Sequence, residues 1–423
     1  MISRKPFVFV TLGSYGDVLP MLSIAQRLSQ LNHKVIFISN GHFKSLFEDL
    51  RIEFIQISSS EKYEDLIKTV NVNNTYELSL ALVKYLLLDP VKPIFELLDN
   101  ISNRGNIILV ANGTNLGARL YHDKTGCDFV SAYFSPSVIP SAQFSPRLFK
   151  YHLAKLLRLS LRKIGFKLFN SVVNFLLLKK VNSLRFKFGL TRSTNLLDLF
   201  HSPQSILGLY SQKFLGVTPQ DWPKQFQTVG FPIFRNNLDI SEVLENFLSR
   251  GEKPILVCRG TPNLRVDKFM ETMSAAILSL NQRAILVSGH FSSQTVSKHP
   301  DIFQANFLPY DRVISRCKAV VHHGGIGTSA QCLRAGVPQL IAPWGVDQWD
   351  NSMRLQDLGV ALEINELELS IEKIRYKLSK LLSDDQIDRN SQRMSNCEYD
   401  YQGSERAVEY LLNFCGDRRA GKG

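Results

Sequence analysis

The amino-acid sequence predicts an α/β protein made of two Rossmann-like, doubly wound domains. The chain has 423 residues, enough for two domains that each bury a core. Its opening is typical of a strand, a helix and a second strand, at Phe7–Leu12, Met21–Gln30 and Lys34–Ile38. The span 319–342 repeats that order around a Gly-rich turn. A strand, a helix and a second strand in this order usually form two parallel strands joined by a right-handed crossover. Both spans therefore predict parallel sheets.

Composition narrows the class of protein. The apolar content of 44% and charged content of 21% are ordinary for a globular chain. No apolar run reaches the roughly 18 residues of a membrane-spanning helix, and the first run is too short for a signal peptide. Six cysteines without a Cys-x-x-Cys pair favour reduced thiols over disulfides or a zinc site. We therefore expect a cytoplasmic protein, soluble or peripheral at a membrane.

A carboxylate, Asp17, lies in the turn after the first strand, between Gly16 and Pro20. Its position alone favours a structural role, because an Asp in the first turn of a helix is stabilised by the helix dipole. A carboxylate at the end of a strand can also serve as a general base. Further strands of this domain are expected at Phe54–Ile57, Ile107–Ala111 and Phe129–Ala132.

The segment 144–190 is strongly basic and amphipathic. Residues 129–197 contain twelve Lys or Arg and no Asp or Glu. The charge of this segment therefore equals the net charge of +12 of the whole chain. Helical spacing places five basic residues on one face: Arg147, Lys150, Lys155, Arg158 and Arg162. Such a helix is typical of contact with an anionic membrane, or of a solvated face packed on its own domain. Nucleic acid is not expected, because no recognised binding module accompanies the charge.

The second domain follows a polar, Pro-punctuated span at 218–237, which we interpret as a linker. Its first strand, Pro254–Cys258, leads to a turn at Gly260 and Thr261 that can donate hydrogen bonds to phosphate. Arg259, just before that turn, is either a diphosphate clamp or an exposed charge.

The most informative stretch is the turn His322–Thr328, which follows the apolar run 319–321. Ser329–Ala335 is expected to form a helix that Gly336 ends. Free amides and the helix dipole make such a start an anion site, and the glycines permit close approach, so a diphosphate is the expected guest. Asp347 and Gln348 follow the next strand and suit sugar hydroxyls at the same sheet edge.

These motifs, with Gly336–Pro338 and Pro343–Gln348, resemble the donor signature of the family 1 glycosyltransferases of GT-B fold, near the bacterial sterol- and macrolide-type branch. The opening with Gly16, Asp17 and Pro20 is similar to the same family. The resemblance implies two Rossmann-like domains facing a cleft. It implies an acceptor-binding domain at 1–235, a nucleotide-sugar domain at 236–400, a helix at 401–415 that crosses back, and a disordered tail at 416–423.

The resemblance also implies the reaction: an inverting, metal-independent transfer of sugar from a UDP- or dTDP-sugar to a hydroxyl of a hydrophobic or lipid-like acceptor. Asp17 would be the base, and His322 the phosphate contact that His323 orients. Phe307 would stack on the base and the backbone of Leu308 would read its edge. The implied donor-binding residues are Gly260, Thr261, Phe307, Leu308, His322, His323, Gly324, Gly325, Gly327, Thr328, Asp347 and Gln348. No cofactor is expected beyond the nucleotide sugar, and no Asp-x-Asp motif is present to hold a metal.

Two alternatives remain open. One is a sugar-nucleotide epimerase on the same fold, which would need its own acid and base. The other is a non-catalytic, membrane-docked protein that keeps a vestigial nucleotide site. The acceptor, the sugar and the nucleotide are not specified by any motif that we recognise.

Overall fold

The computed structural model describes residues 5–61, 64, 83–101, 106–144, 147, 159–235, 239–259, 266–288, 299–345, 347–365 and 369–420. The chain divides into two compact units. The first comprises Met1–Ser145, Leu153–Phe234 and Gln402–Gly423, and the second Pro146–His152 and Arg235–Tyr401. Each unit holds a parallel sheet covered by helices, which confirms the predicted α/β class.

The first unit is built on a parallel sheet. In the described residues its strands are β1 (Phe7–Val10), β2 (Val35–Asn40), β3 (Glu53–Ser58), β4 (Ile108–Asn112), β5 (Asp128–Tyr133), β6 (Ile206–Gly208) and β7 (Phe226–Thr228). Their order across the sheet is β3-β2-β1-β4-β5-β6-β7. β2 and β3 are added on one side of β1 and β4 to β7 on the other, so the strand order switches between β1 and β4. Ligands of doubly wound sheets bind at the carboxyl edge of such a switch point.

Both faces of this sheet are buried, because successive residues of a strand point to opposite sides. Phe7 and Phe9 belong to one hydrophobic cluster, and Val8 and Val10 to the cluster on the other side. The helices of this part are α1 (Tyr15–Gln30), α2 (Val91–Ile101), α3 (Leu116–Thr125), α4 (Leu159–Val173), α5 (Lys179–Lys187) and α6 (Gln212–Leu215). Burial on both sides explains why β1 is an unbroken apolar run.

The second unit has a parallel sheet of its own. Its described strands are β8 (Ile255–Cys258), β9 (Ala284–Val287), β10 (Ile302–Ala305), β11 (Ala319–His322), β12 (Gln339–Ile341) and β13 (Ala361–Glu363). They lie in the order β10-β9-β8-β11-β12-β13. The helices are α7 (Glu242–Ser249), α8 (Val266–Leu278), α9 (Tyr310–Val313), α10 (Ile326–Ala335), α11 (Gln348–Asp357), α12 (Ile371–Ser383) and α13 (Asp385–Ser395).

The last helix, α14 (Gly403–Ala420), belongs to the first unit. Ala407 and Leu411 share a hydrophobic cluster with Leu22 of α1, and the Ser23 and Ser404 hydroxyls are 2.8 Å apart. The expected disordered tail from residue 416 is wrong for 416–420, which continue the helix. A helix tolerates an interior glycine at a cost of only about 1 kcal/mol, so Gly416 does not end it.

The span 218–237 is not simply a linker, which corrects the interpretation made from its prolines. Strand β7 lies inside it and pairs with β6 through Phe226 and Thr228. The boundary between the units falls between Phe234 and Arg235. A three-residue strand at the end of a sheet carries too little periodicity to be recognised in sequence. In the part of the chain that the structure describes, no helix has the length and apolar content needed to span a membrane.

Gly403→Ala is expected to lower the free energy of unfolding by about 3 kcal/mol, because a Cβ there would press on backbone that cannot move aside. It would clash with the main chain of Phe231 and Pro232, and the Gly403 amide donates to the Phe231 carbonyl oxygen at 3.2 Å. Denaturant unfolding measures the effect. The matched control is Gly165→Ala in α4, where the new methyl meets nothing within 4 Å. Equal midpoints for the two variants would contradict the prediction.

Candidate functional site

The turn between β11 and α10 owes its shape to Gly324. This residue has a φ of +91°, and a Cβ on it would lie 3.0 Å from the Ile341 side chain and 3.1 Å from the Gln348 carbonyl oxygen. Its own carbonyl accepts a hydrogen bond from Asn351 Nδ2 at 3.0 Å. Only glycine fits this backbone without strain. The conformation turns the chain so that α10 begins at the carboxyl edge of the second sheet.

His322 is fully buried at the end of β11, and both of its ring nitrogens are hydrogen-bonded. Nδ1 accepts from the Gly324 amide at 3.1 Å, and Nε2 lies 3.0 Å from Gln339 Oε1. Since the amide must donate, the ring carries its proton on Nε2 and donates it to Gln339. Burial lowers the pKa of His322 to about 3, so the ring is neutral. His322 therefore holds the turn in place, instead of offering a ring nitrogen to a ligand as the sequence had suggested.

His323 lies next to the start of α10. Its Nε2 is 2.5 Å from the position that a Cβ on Gly325 would occupy, so the ring rests against that glycine. Burial, together with the smaller effect of the nearby Arg259 charge, lowers the pKa of His323 to about 4. Arg259 follows β8, the strand beside β11, and its side chain packs over the Phe269 ring at 4.7 Å. Arg259 is buried, 5% exposed, so the alternative of an exposed charge is wrong.

The start of α10 is open where other helices of the chain are capped. Serine hydroxyls accept from the first-turn amides of α1, α7 and α12, whereas Gly325 precedes α10 and no side chain of the described residues caps it. The first-turn amides of α10 thus keep their hydrogen-bonding capacity, and the dipole adds partial positive charge. A Cβ on Gly327 would meet nothing within 4 Å, which leaves space in front of these amides. Thr328 is half-buried in the same turn.

Asp347 and Gln348 follow β12, the next strand of the sheet. Gln348 Oε1 accepts from the amides of Trp344 and Gly345 at 3.1 and 3.4 Å, while Asp347 Oδ2 accepts from Asn351 Nδ2 at 3.0 Å. Among the described residues, the Gln348 Nε2 group donates to no protein atom. It is therefore the polar group of this pair that the structure leaves for a ligand.

Asn351 is a site residue that sequence reasoning missed. Its side-chain amide connects the Gly324 carbonyl to the Asp347 carboxylate and so ties the two ligand-facing turns together. Its place four residues after Asp347, on the same helical face, was the signal available. Gln339 was missed as well, although a polar residue inside an apolar strand indicates a buried hydrogen bond.

Phe307 and Leu308 follow β10, at the far edge of the same sheet. The Phe307 side chain is 53% exposed, whereas Leu308 is buried. Three strand spacings separate β10 from β11, roughly 14 Å at the usual interstrand distance. An exposed ring at that distance suits the base of an extended ligand better than a small anion. The predicted contacts Gly260 and Thr261 lie outside the described residues.

Asp17 lies in the first turn of α1, at the carboxyl end of β1. Its Oδ2 accepts from the Ser14 amide at 2.7 Å and from the Ser14 hydroxyl at 3.1 Å, and the Ser14 hydroxyl accepts from the Gly16 amide in turn. Gly13, with a φ of +131°, has no room for a Cβ beside this carboxylate. Burial raises the pKa of Asp17 to about 6, against the lowering effect of the Ser14 hydrogen bonds.

The predicted basic face, from Arg147 to Arg162, changes in one respect, and residues 148–158 lie outside the described part. Arg147 does not share a face with Arg162. Its guanidinium makes two hydrogen bonds of 2.7 Å to the Glu363 carboxylate and lies 5.0 Å from the centre of the Trp349 ring, both in the second unit. Arg162 donates to the Gln143 carbonyl in the first unit. A partner more than 200 residues away overrides the local periodicity.

The six cysteines are free thiols, and the described residues contain no group of three or more His, Cys, Asp or Glu placed to hold a metal ion. The arrangement instead supplies amide donors, an open helix start, a buried arginine and an exposed aromatic ring along one sheet edge. Such a set can bind a phosphate-containing ligand through hydrogen bonds and charge.

Two family models match the chain. The N-terminal domain of glycosyltransferase family 28 matches residues 7–91, and the C-terminal domain of erythromycin biosynthesis protein CIII-like proteins matches residues 272–401. These spans contain Asp17 and the His322–Gln348 region respectively.

Curated relatives of the chain are named as glycosyltransferases. The sterol 3-beta-glucosyltransferase UGT80A2 of Arabidopsis thaliana is 23% identical over 96% of this chain. The O-mycaminosyltylonolide 6-deoxyallosyltransferase of Streptomyces fradiae is 26% identical, with 83% of each chain covered. This chain spans 65% of the Arabidopsis protein and 31% of the sterol 3-beta-glucosyltransferase of Komagataella phaffii.

Solved structures share the fold. The spinosyn forosaminyltransferase SpnP covers 97% of this chain with a TM-score of 0.72 and 16% identity. The glycosyltransferase VinC, solved in complex with dTDP, gives a TM-score of 0.71 at 14% identity over 97% of this chain. At such identities the likeness establishes the fold.

Proposed function

Because the chain belongs to the family 1 glycosyltransferases of GT-B fold, we propose that it transfers a sugar from a UDP- or dTDP-sugar to a hydroxyl of a hydrophobic or lipid-like acceptor. One observation carries the proposal: the order of groups along the carboxyl edge of the second sheet. Phe307, Arg259, the start of α10 and Gln348 follow β10, β8, β11 and β12 in spatial order. Base, diphosphate and sugar follow one another in the donor in the same order.

The diphosphate contacts follow from this order. The first-turn amides of α10 and the His323 ring donate hydrogen bonds, and Arg259 contributes the positive charge. His322 acts through the turn, since its Nδ1 is bonded to the Gly324 amide. A cationic side chain and a helix start together can neutralise the charge that develops on the leaving diphosphate. No step of this scheme requires a metal ion.

The acceptor oxygen attacks the anomeric carbon from the side opposite the diphosphate, and Asp17 takes its proton. The bond from carbon to the acceptor oxygen forms as the bond to the diphosphate oxygen breaks, so the configuration inverts. A carboxylate whose pKa is raised to about 6 is a better base than an ordinary Asp and is still ionised at neutral pH.

The acceptor class rests on the relatives. The names of these relatives describe transfer to sterols and to O-mycaminosyltylonolide. We propose an acceptor of that general class for this chain, without choosing either of these two compounds.

The test is incubation of the purified chain with a panel of UDP- and dTDP-sugars and a lipid extract, followed by mass spectrometry. We expect an acceptor mass gain of one sugar, release of nucleoside diphosphate, and unchanged rates in excess EDTA. Conversion of the donor sugar without acceptor would support the epimerase instead. Binding of nucleotide sugar without transfer across the panel would support the non-catalytic protein, and loss of activity in EDTA would overturn metal independence.

A further inference from the structure

The helical arm made of α4, the π-helical segment Asn174–Leu178 and α5 is tied to the first unit by its inner side. Val173, Leu177 and Leu184 pack against the cluster of buried residues under the first sheet. The side-chain oxygen of Asn174, Oδ1, accepts a hydrogen bond from the Leu196 amide at 2.8 Å. The arm is therefore a fixed part of the unit, and its other side faces outward.

That outward side is apolar, the reverse of the pattern of an ordinary surface helix. We call it the outer apolar face, and its members are Leu161, Ile164, Leu168, Phe169, Val172, Phe175 and Leu176. Their exposed fractions run from 50% at Leu161 to 86% at Phe175. Spacings of three and four residues bring them onto one side over about 22 Å of helix. A contiguous exposed apolar patch of this kind marks an interaction surface.

Positive charge surrounds this face. Five exposed lysines lie on the arm: Lys163, Lys167, Lys179, Lys180 and Lys187. The sequence from 129 to 197 contains no Asp or Glu, so no acid of this span offsets them. Arg185, the buried cation of α5, is paired with Asp123 and does not add to the exposed charge.

We propose that the outer apolar face docks onto an anionic lipid surface. Apolar side chains flanked by lysines can enter the boundary between headgroups and acyl chains while the ammonium groups stay with the phosphates. A second copy of this chain would bring the same lysines into opposition, which like-charge repulsion disfavours. A single small acceptor needs a concave site, and one outward helix side does not provide it. The proposal does not depend on the transferase assignment.

The test is flotation of the full chain with phosphatidylcholine vesicles, with and without phosphatidylserine. We expect binding to the anionic vesicles, weakened by salt. Ile164→Ser/Leu168→Ser/Phe175→Ser is expected to reduce binding at least a hundredfold, because three apolar anchors are lost. The matched control, Val217→Ser/Val243→Ser/Tyr376→Ser, removes side chains that are 89%, 70% and 67% exposed elsewhere and should bind like the wild type.

The charge contribution is tested separately. Lys163→Gln/Lys167→Gln should weaken binding to anionic vesicles about 25-fold, at roughly fivefold per lysine. The control Lys373→Gln/Lys380→Gln changes two lysines of α12 and should have no effect. All these side chains are on the surface, so thermal unfolding midpoints should match the wild type, and sugar transfer to a water-dispersed acceptor should be unchanged.

Three binding or activity results would overturn the docking proposal, and a fourth concerns the oligomeric state. The three are wild-type protein that ignores anionic vesicles, apolar triple-variant protein that binds them as well as the wild type, and loss of transfer to a dispersed acceptor in that variant, which would make the face an acceptor site. Conversion of a dimer to a monomer by the same variant would assign the face to a second copy. An inactive wild-type chain that still binds vesicles would refute the proposed function alone.

Discussion

Asp17→Asn is expected to lower kcat for sugar transfer by a factor of about 10²–10⁴, the usual contribution of a general base. The amide cannot take the acceptor proton, but its oxygen can still accept from the Ser14 amide, so the first turn of α1 should persist. The variant should bind the nucleotide sugar as tightly as the wild type. Steady-state kinetics and calorimetric titration with the donor measure the two quantities on the same preparation.

Stability separates the catalytic role of Asp17 from a purely structural one. Burial raises the pKa of its carboxyl in the folded protein to about 6, above the unfolded value near 3.9. Between these values the folded state holds more protons, so stability falls as pH rises through about 4 to 6 and stays lower above it. Asn carries no charge to desolvate, and Asp17→Asn should therefore unfold at the same or a higher temperature at pH 8. A variant that keeps full turnover and melts earlier would reduce Asp17 to a helix cap.

The same pKa predicts a pH profile. Transfer by the wild type should rise with pH to a plateau above about 6, as Asp17 ionises, and this limb should be absent from the residual activity of Asp17→Asn. Ser14→Ala is the matched control. It removes a hydroxyl that donates to Asp17 and caps α1, so it should cost about 1 kcal/mol of stability and move the limb to higher pH.

Most strands that the sequence predicted are buried on both sides, although the edge strand β3 was predicted as well. β1 and β8 are continuous apolar runs of four residues and β11 begins with a run of three, because each strand is central in its sheet. β6, β7, β10 and β13 were not predicted, since each has only three or four residues; the last three are also sheet edges with a mixed pattern. Local periodicity measures burial, and edge strands are only half buried.

The places of the Gly-rich turn and of Asp347–Gln348 in the fold were predictable from sequence, but the orientation of the side chains there was not. The Gly-rich turn and Asp347–Gln348 were located because glycine and helix-stop signals are backbone properties. Which way an imidazole points depends on a distant partner such as Gln339, 17 residues further along the chain. The position of Arg259, buried against Phe269, depends in the same way on packing that the one-dimensional pattern does not contain.

The two adjacent histidines can be tested separately, because the structure gives His322 a stabilising role and we propose that His323 binds the ligand. His322→Ala should lower the free energy of unfolding by about 3 kcal/mol, since it leaves a cavity and removes the buried partner of Gln339 and of the Gly324 amide. His323→Ala should change stability little and weaken binding of UDP or dTDP about tenfold, the loss of one hydrogen bond to a charged group. Denaturant unfolding and calorimetric titration measure the two effects.

A double variant shows whether the cost at His322 arises from the Gln339 side chain that is left without its partner. In His322→Leu/Gln339→Leu both buried polar partners are replaced by apolar groups, so part of the stability lost in His322→Ala should return. Nucleotide binding should be weaker in this variant than in the wild type, because the Gly324 amide lacks the acceptor that sets the shape of the turn. If His322→Ala instead folds as stably as the wild type and loses only nucleotide affinity, then His322 is the direct phosphate contact and His323 the ring that positions it.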